Sequence, residues 1–150
     1  MKALLSQITK LRQDTGAGVM AVKKALEEAK GDSAKAKEIL KKQGLAMVLK
    51  KAERETSVGR VEAYMHHDGR VGALVKITCE TDFVARNSEF IKLCREVCLQ
   101  VASMNPKNID QLLGQEYIRE PEKTVKDLVN EAIAKLGENI KIAEFARIEI

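Results

Sequence analysis

Apolar residues recur at helical spacing through the first third of the chain. Leu4, Leu5, Ile8 and Leu11 predict a short amphipathic helix over residues 3–13. Thr15-Gly16-Ala17-Gly18 breaks it, with Gly16 placed to act as a left-handed cap. Val19, Val22, Leu26 and Ala29 restart the period, which Gly31 ends. Asp32 can cap a third helix by accepting a backbone N–H bond; that helix runs through Ala36, Ile39 and Leu40 and is expected to stop at Gly44. Residues 1–45 therefore predict a small three-helix bundle, and residues 46–56 a helical or mixed linker.

Beyond it the period changes from helical to two. Val61, Ala63 and Met65 alternate with Arg60, Glu62 and Tyr64, the pattern of a half-buried strand with an apolar face. Asp68-Gly69 signals a hairpin turn, because glycine accepts positive φ. Val71, Ala73, Val75, Ile77 and Cys79 then share one face of a longer strand. Phe90, Cys94, Val97, Cys98 and Val101 form the stripe of an amphipathic helix ending before Pro106. Residues 107–121 read as irregular, with one helical turn at Ile109–Leu113. Val125, Leu128, Ile133 and Leu136 predict another helix, ended by Gly137, and residues 139–150 alternate as a last strand. Residues 57–150 thus predict an α+β domain: an antiparallel three-stranded sheet with helices on one face.

Charge and cysteine usage narrow the function classes. Residues 1–56 carry 13 Lys+Arg against 7 Asp+Glu, and residues 57–150 carry 13 against 15. The N-terminal part could face an acidic partner or RNA, or simply present a lysine-rich solvated face. No apolar run approaches the roughly 18 residues of a membrane span. The odd count of 3 cysteines, without framework spacing, suits a reducing compartment, and a cytoplasmic location is expected.

Little in the chain suggests catalysis. Gly16-x-Gly18 precedes a helix but lacks a Walker motif and a preceding strand, so it reads as a tight helix–helix turn. Cys79, Cys94 and Cys98 could bind zinc with His66 or His67, yet all three fall on apolar faces, where cysteine behaves as a small hydrophobe. No nucleophile–base constellation or carboxylate pair stands out, so neither an enzyme nor a metal or cofactor is expected.

The stretch Glu80-Thr81-Asp82-Phe83-Val84-Ala85-Arg86-Asn87 poses a different question. Phe83 either plugs the core at a strand-to-helix turn capped by Asp82 or Asn87, or is held outward as an interface anchor. It belongs to neither apolar series, since the strand face runs through odd positions to Cys79 and the helix stripe begins at Phe90.

Three stretches, LRQDTGAGVMAVKKALEEAKGD (11–32), CETDFVARN (79–87) and TVKDLVNEAIAKLGENIKI (124–142), together resemble the elongation factor Ts family. The resemblance implies a ubiquitin-associated-like fold for the N-terminal module and a core α+β domain after it. It implies guanine nucleotide exchange on elongation factor Tu, with no membrane and no direct nucleic acid partner. Thr81, Asp82, Phe83 and Val84 would reach the partner near its magnesium and phosphate site. Phe83 would wedge between partner helices, Asp82 would disturb groups near the magnesium, and Arg86 and Asn87 would support the loop. Gly18, Val19 and Met20 match a second docking surface. The alternative reading, from the basic N-terminal half, is an RNA- or ribosome-associated module. Longer members carry a second core subdomain and a coiled-coil protrusion for which 150 residues leave no room. A homodimer is therefore expected, joined at a strand edge and the strand ending at Ile150.

Overall fold

The computed structural model describes residues 2–150 and is α+β. Three helices come first: α1 (Lys2–Thr15), α2 (Val19–Glu28) and α3 (Ser33–Lys51). Gly16 takes φ 71° and its N–H donates to Arg12 O at 2.8 Å, closing α1 as the sequence predicts. The Asp32 carboxylate accepts from Ala34 N and Lys35 N and starts α3. Ile8, Leu11, Val22, Ala25, Leu26, Ala29, Ala36 and Leu40 bury one another in a small separate core.

Helix α3 does not stop at Gly44. It runs on to Lys51, through much of the segment read as linker. A Cβ on Gly44 would lie only 3.3 Å from Ala134 Cβ, on a helix of the following region. The glycine is there for a close helix crossing rather than a helix end. The two halves of α3 serve different neighbours: Ala36 and Leu40 belong to the small core, whereas Val48 packs on the larger one. Its apolar residues therefore form no single stripe.

The rest of the chain builds the larger core. Strands β1 (Val58–Met65), β2 (Val71–Cys79) and β5 (Lys141–Glu149) form an antiparallel sheet in the order β1-β2-β5. Between β2 and β5 lie α4 (Asp82–Ala85), α5 (Ser88–Met104), α6 (Ile109–Gly114), a short hairpin β3 (Glu116–Tyr117) and β4 (Glu120–Thr124), and α7 (Val125–Leu136). The hairpin was not predicted; its strands are short and largely polar, as Glu120-Pro-Glu-Lys-Thr124 shows. The α5 stripe and the β2 face pack as their periods require: Phe90, Cys94, Val97, Cys98, Val101, Ile77 and Cys79 are fully buried. Thr124 and Asp127 form a reciprocal capping box at the start of α7, and Gly137 ends it in the left-handed region at φ 76°.

Strand β1 reverses the expected face. Arg60, Glu62 and Tyr64 lie on the packed side, while Val61, Ala63 and Met65 face outward. Register explains the reversal. Gly59 sits opposite Thr78, where a Cβ would come within 2.1 Å of Ile77 O, so only glycine fits. Paired residues share a face, and Arg60, Glu62 and Tyr64 pair with the buried Ile77, Val75 and Ala73, which leaves Val61, Ala63 and Met65 on the solvent side. The inward polar groups are satisfied locally: Arg60 Nε donates to Glu62 Oε2 at 2.7 Å, and Tyr64 Oη lies 3.1 Å from His66 Nδ1.

Candidate functional site

The Phe83 turn is built where β2 leaves the core. Cys79 is fully buried at the end of the strand and its thiol donates to Thr81 O at 3.3 Å. Thr81 adopts an extended backbone and caps α4, its Oγ1 accepting from Val84 N at 3.3 Å. A single helical turn sends successive side chains to different sides. Val84 and Ala85 enter the larger core, so Asp82 and Phe83 are left outside. Phe83 is 82% exposed. It does not plug the core, and that exposure forgoes about 2 kcal/mol of possible burial. Val84, by contrast, is removed from the expected contact surface: it is 5% exposed and anchors the turn from beneath.

The exit of the turn is equally fixed. Arg86 N–H donates to Asp82 O at 3.2 Å and Asn87 N–H to Val84 O at 2.9 Å. The Asn87 side chain accepts from Glu89 N at 2.8 Å, capping α5. The Arg86 side chain is exposed.

A third set of restraints comes from the turn between α7 and β5. Glu138 Oε1 accepts from Glu80 N and Thr81 N at 3.1 and 3.0 Å, and Glu138 Oε2 accepts from Thr81 Oγ1 at 2.7 Å. Asn139, 3% exposed, donates its backbone N–H to Glu80 Oε1 at 2.8 Å. Its Nδ2 donates to Ala52 O and Arg54 O. Lys51 Nζ donates to Gly137 O. Sequence reasoning missed these residues. Glu138 is 57 positions from Thr81, and no local pattern announces the pairing.

The second expected surface is also exposed. Gly18 is extended and precedes α2 without a side-chain cap, and Val19 and Met20 are 39% and 66% exposed on its first turn.

The remaining candidates have structural employment. Desolvation, and then the nearby Glu62 carboxylate, push the Cys94 thiol up to about 12 and the Cys98 thiol up to about 11. Both stay protonated near neutrality and are poor nucleophiles. Cys98 Sγ donates to Ala73 O at 3.4 Å. Among the described residues, no group of three His, Cys, Asp or Glu side chains is arranged to hold a metal ion. A cleft of about 700 Å³ beside α3 and α7 is lined by a mixture of charged and apolar side chains, several of the charges paired, as Lys135 with Glu89 and Lys123 with Glu131. No helix among the described residues is long and apolar enough to cross a membrane.

Residues 80–150, which include the Phe83 turn and its α7–β5 support, match the family model described as Elongation factor TS. An elongation factor Ts of Thermoanaerobacter sp. (strain X514) is 44% identical over 187 aligned positions covering 95% of this chain and 92% of the relative. That of Rubrobacter xylanophilus is 37% identical over 195 positions covering both chains completely. That of Aquifex aeolicus is 46% identical over 154 positions covering 99% of this chain and 53% of the relative. With a 44%-identical relative aligned along 95% of its length, the chain belongs to the elongation factor Ts family.

Proposed function

We propose that this protein is a guanine nucleotide exchange factor that binds elongation factor Tu and promotes release of its GDP. The observation that carries the reading is an aromatic side chain held 82% in solvent on a turn fixed at both ends. An exposed phenylalanine on a mobile loop would lose ordering entropy on binding. Here the ordering is already present in the fold, which favours use of Phe83 as a wedge. Asp82, beside it and exposed, would introduce negative charge near the partner's magnesium and phosphate groups. Distorting that site weakens nucleotide binding, and linkage requires that nucleotide binding weaken the factor in return. Tenfold weakening requires about 1.4 kcal/mol of coupling, so a large acceleration needs several contacts. Gly18, Val19 and Met20 would provide a second docking surface.

The test is release of a fluorescent GDP analogue from elongation factor Tu. Addition of this protein in catalytic amount should raise the release rate in proportion to its concentration until saturation. No acceleration at any concentration sinks the reading. The basic N-terminal half would then be examined for salt-sensitive RNA affinity, for which the structure offers little aromatic stacking surface.

A homodimer belongs to the same proposal, joined through the outer face of the sheet rather than the strand edge that the sequence suggests. The outer face of the sheet is a three-by-three grid in register: Val61-Lys76-Glu144, Ala63-Leu74-Ala146 and Met65-Gly72-Ile148. Met65, Leu74 and Ile148 are 68%, 49% and 76% exposed. Soluble monomers seldom leave such a continuous apolar face open. A second copy suits it. Large side chains alternate with Ala63, Gly72 and Ala146, and the single Lys76–Glu144 row is charge-complementary to its own two-fold image. Leu74→Glu is expected to shift a sedimenting dimer to monomer while leaving the circular dichroism spectrum unchanged. A wild-type protein that sediments as a monomer at tens of micromolar would remove this part of the proposal.

A further inference from the structure

We infer that Glu138 is a positioning residue: its carboxylate holds the Thr81 cap in the one orientation that presents Phe83 outward. Resting on the exchange reading above, it adds a residue to which the family resemblance assigned no role.

The inference rests on how the three hydrogen bonds combine. A hydroxyl has one proton to give and lone pairs to accept with. Thr81 Oγ1 gives its proton to Glu138 Oε2 at 2.7 Å, which leaves a lone pair to accept from Val84 N at 3.3 Å. Without the carboxylate the hydroxyl can rotate and surrender the cap. The other oxygen, Oε1, takes the consecutive N–H groups of Glu80 and Thr81, at 3.1 and 3.0 Å. The carboxylate therefore fixes both the backbone entering the turn and the cap that begins it. Hydrogen bonds to a charged acceptor are stronger than neutral ones. A four-residue helix has almost no stability of its own, so its geometry depends on such supports.

The support also reaches the N-terminal helices. Glu138 lies between Gly137, whose carbonyl accepts from Lys51 Nζ, and Asn139, whose side chain holds Ala52 O and Arg54 O. Arg54 Nη1 and Asn139 N both reach the Glu80 carboxylate. The end of α3 and the Phe83 turn thus share one hydrogen-bonded junction.

Two variants separate positioning from folding. Glu138→Ala removes all three bonds. Glu138→Gln keeps an oxygen for the two backbone amides and replaces the acceptor of the Thr81 proton with a donor. Both should stay folded, because Glu138 is only half-buried and lies outside the core; Glu138→Ala, which loses three bonds to a charged acceptor, should melt several degrees below wild type and Glu138→Gln closer to it. Amide hydrogen exchange of the free protein should show Glu80, Thr81 and Val84 exchanging faster in Glu138→Ala, with a smaller effect in Glu138→Gln, where Thr81 Oγ1 can accept from the glutamine amide and from Val84 N together. In the nucleotide-release assay, Glu138→Ala should lower kcat/KM by roughly tenfold, and Glu138→Gln by less.

The decisive comparison is the double variant. If Glu138 acts by presenting Phe83, adding Glu138→Ala to Phe83→Ala should cost almost nothing further. A general loss of folded protein would instead multiply the two effects. Unchanged protection at Glu80, Thr81 and Val84 overturns the inference, and so do multiplicative losses in the double variant. Should wild type fail to release nucleotide, the exchange reading fails, and the hydrogen-exchange pattern still decides whether Glu138 orders the turn.

Discussion

Phe83→Ala should lose most of the exchange activity and almost none of the stability. Truncating a central aromatic anchor costs about 2 kcal/mol or more, so kcat/KM for nucleotide release should fall by roughly 30-fold or more. Because the side chain is 82% exposed, its removal uncovers no core surface, and the melting temperature should stay within a degree or two of wild type. The expectation is checked by fluorescent nucleotide release and thermal melting on the same preparation. A well-folded variant that releases nucleotide as fast as wild type would show that Phe83 is not the wedge. The proposed mechanism would then have to rest on Asp82 and the Val19–Met20 surface.

Phe90→Ala should do the opposite. Seven residues further on, Phe90 is fully buried beneath the sheet on the α5 stripe. Truncating a buried phenylalanine costs about 3–5 kcal/mol from lost transfer energy and the void left behind. Folded domains typically hold only about 5–15 kcal/mol, so much of the stability disappears with one side chain. Urea unfolding should show a lower midpoint with the slope unchanged. A loss below about 1 kcal/mol would mean that the α5–sheet interface can close over the gap. Under conditions where the variant remains folded, its exchange activity should stay near wild type, since Phe83 is held by caps and by Val84 rather than by Phe90.

These two phenylalanines mark how far the sequence could be read. Phe90 was legible because it belongs to a stripe whose every member is buried. Phe83 was legible only by exclusion, as an aromatic outside both stripes; its exposure follows from Val84 and Ala85 turning into the core, which no local pattern shows. Helix α7 announced itself with a helical apolar period and a terminal glycine, both local signals, while its Thr124–Asp127 capping box went unread. The failures arise where the deciding contact is distant. Gly44 looks like a helix terminator along the chain, yet its small size answers to Ala134, ninety positions away. Val61, Ala63 and Met65 carry the right period, but periodicity cannot say which side of a strand a second layer will cover. The β3–β4 hairpin carries too few apolar residues to register. Glu138 was invisible for the same reason as Gly44, since its partners lie 57 and 58 positions earlier.

The burial of Cys79, Cys94 and Cys98 has a practical consequence. They are the 3 cysteines of the chain, and all sit where the sheet meets α5 or where β2 leaves it. In the closed fold the molecule is silent to thiol reagents, and each native sulfur becomes a clock whose reaction rate reports how often that seam parts. A single cysteine introduced on the surface would be the one thiol to accept a dye while the fold stays closed. The fold thus carries its own opening gauge and leaves its exterior free for a probe.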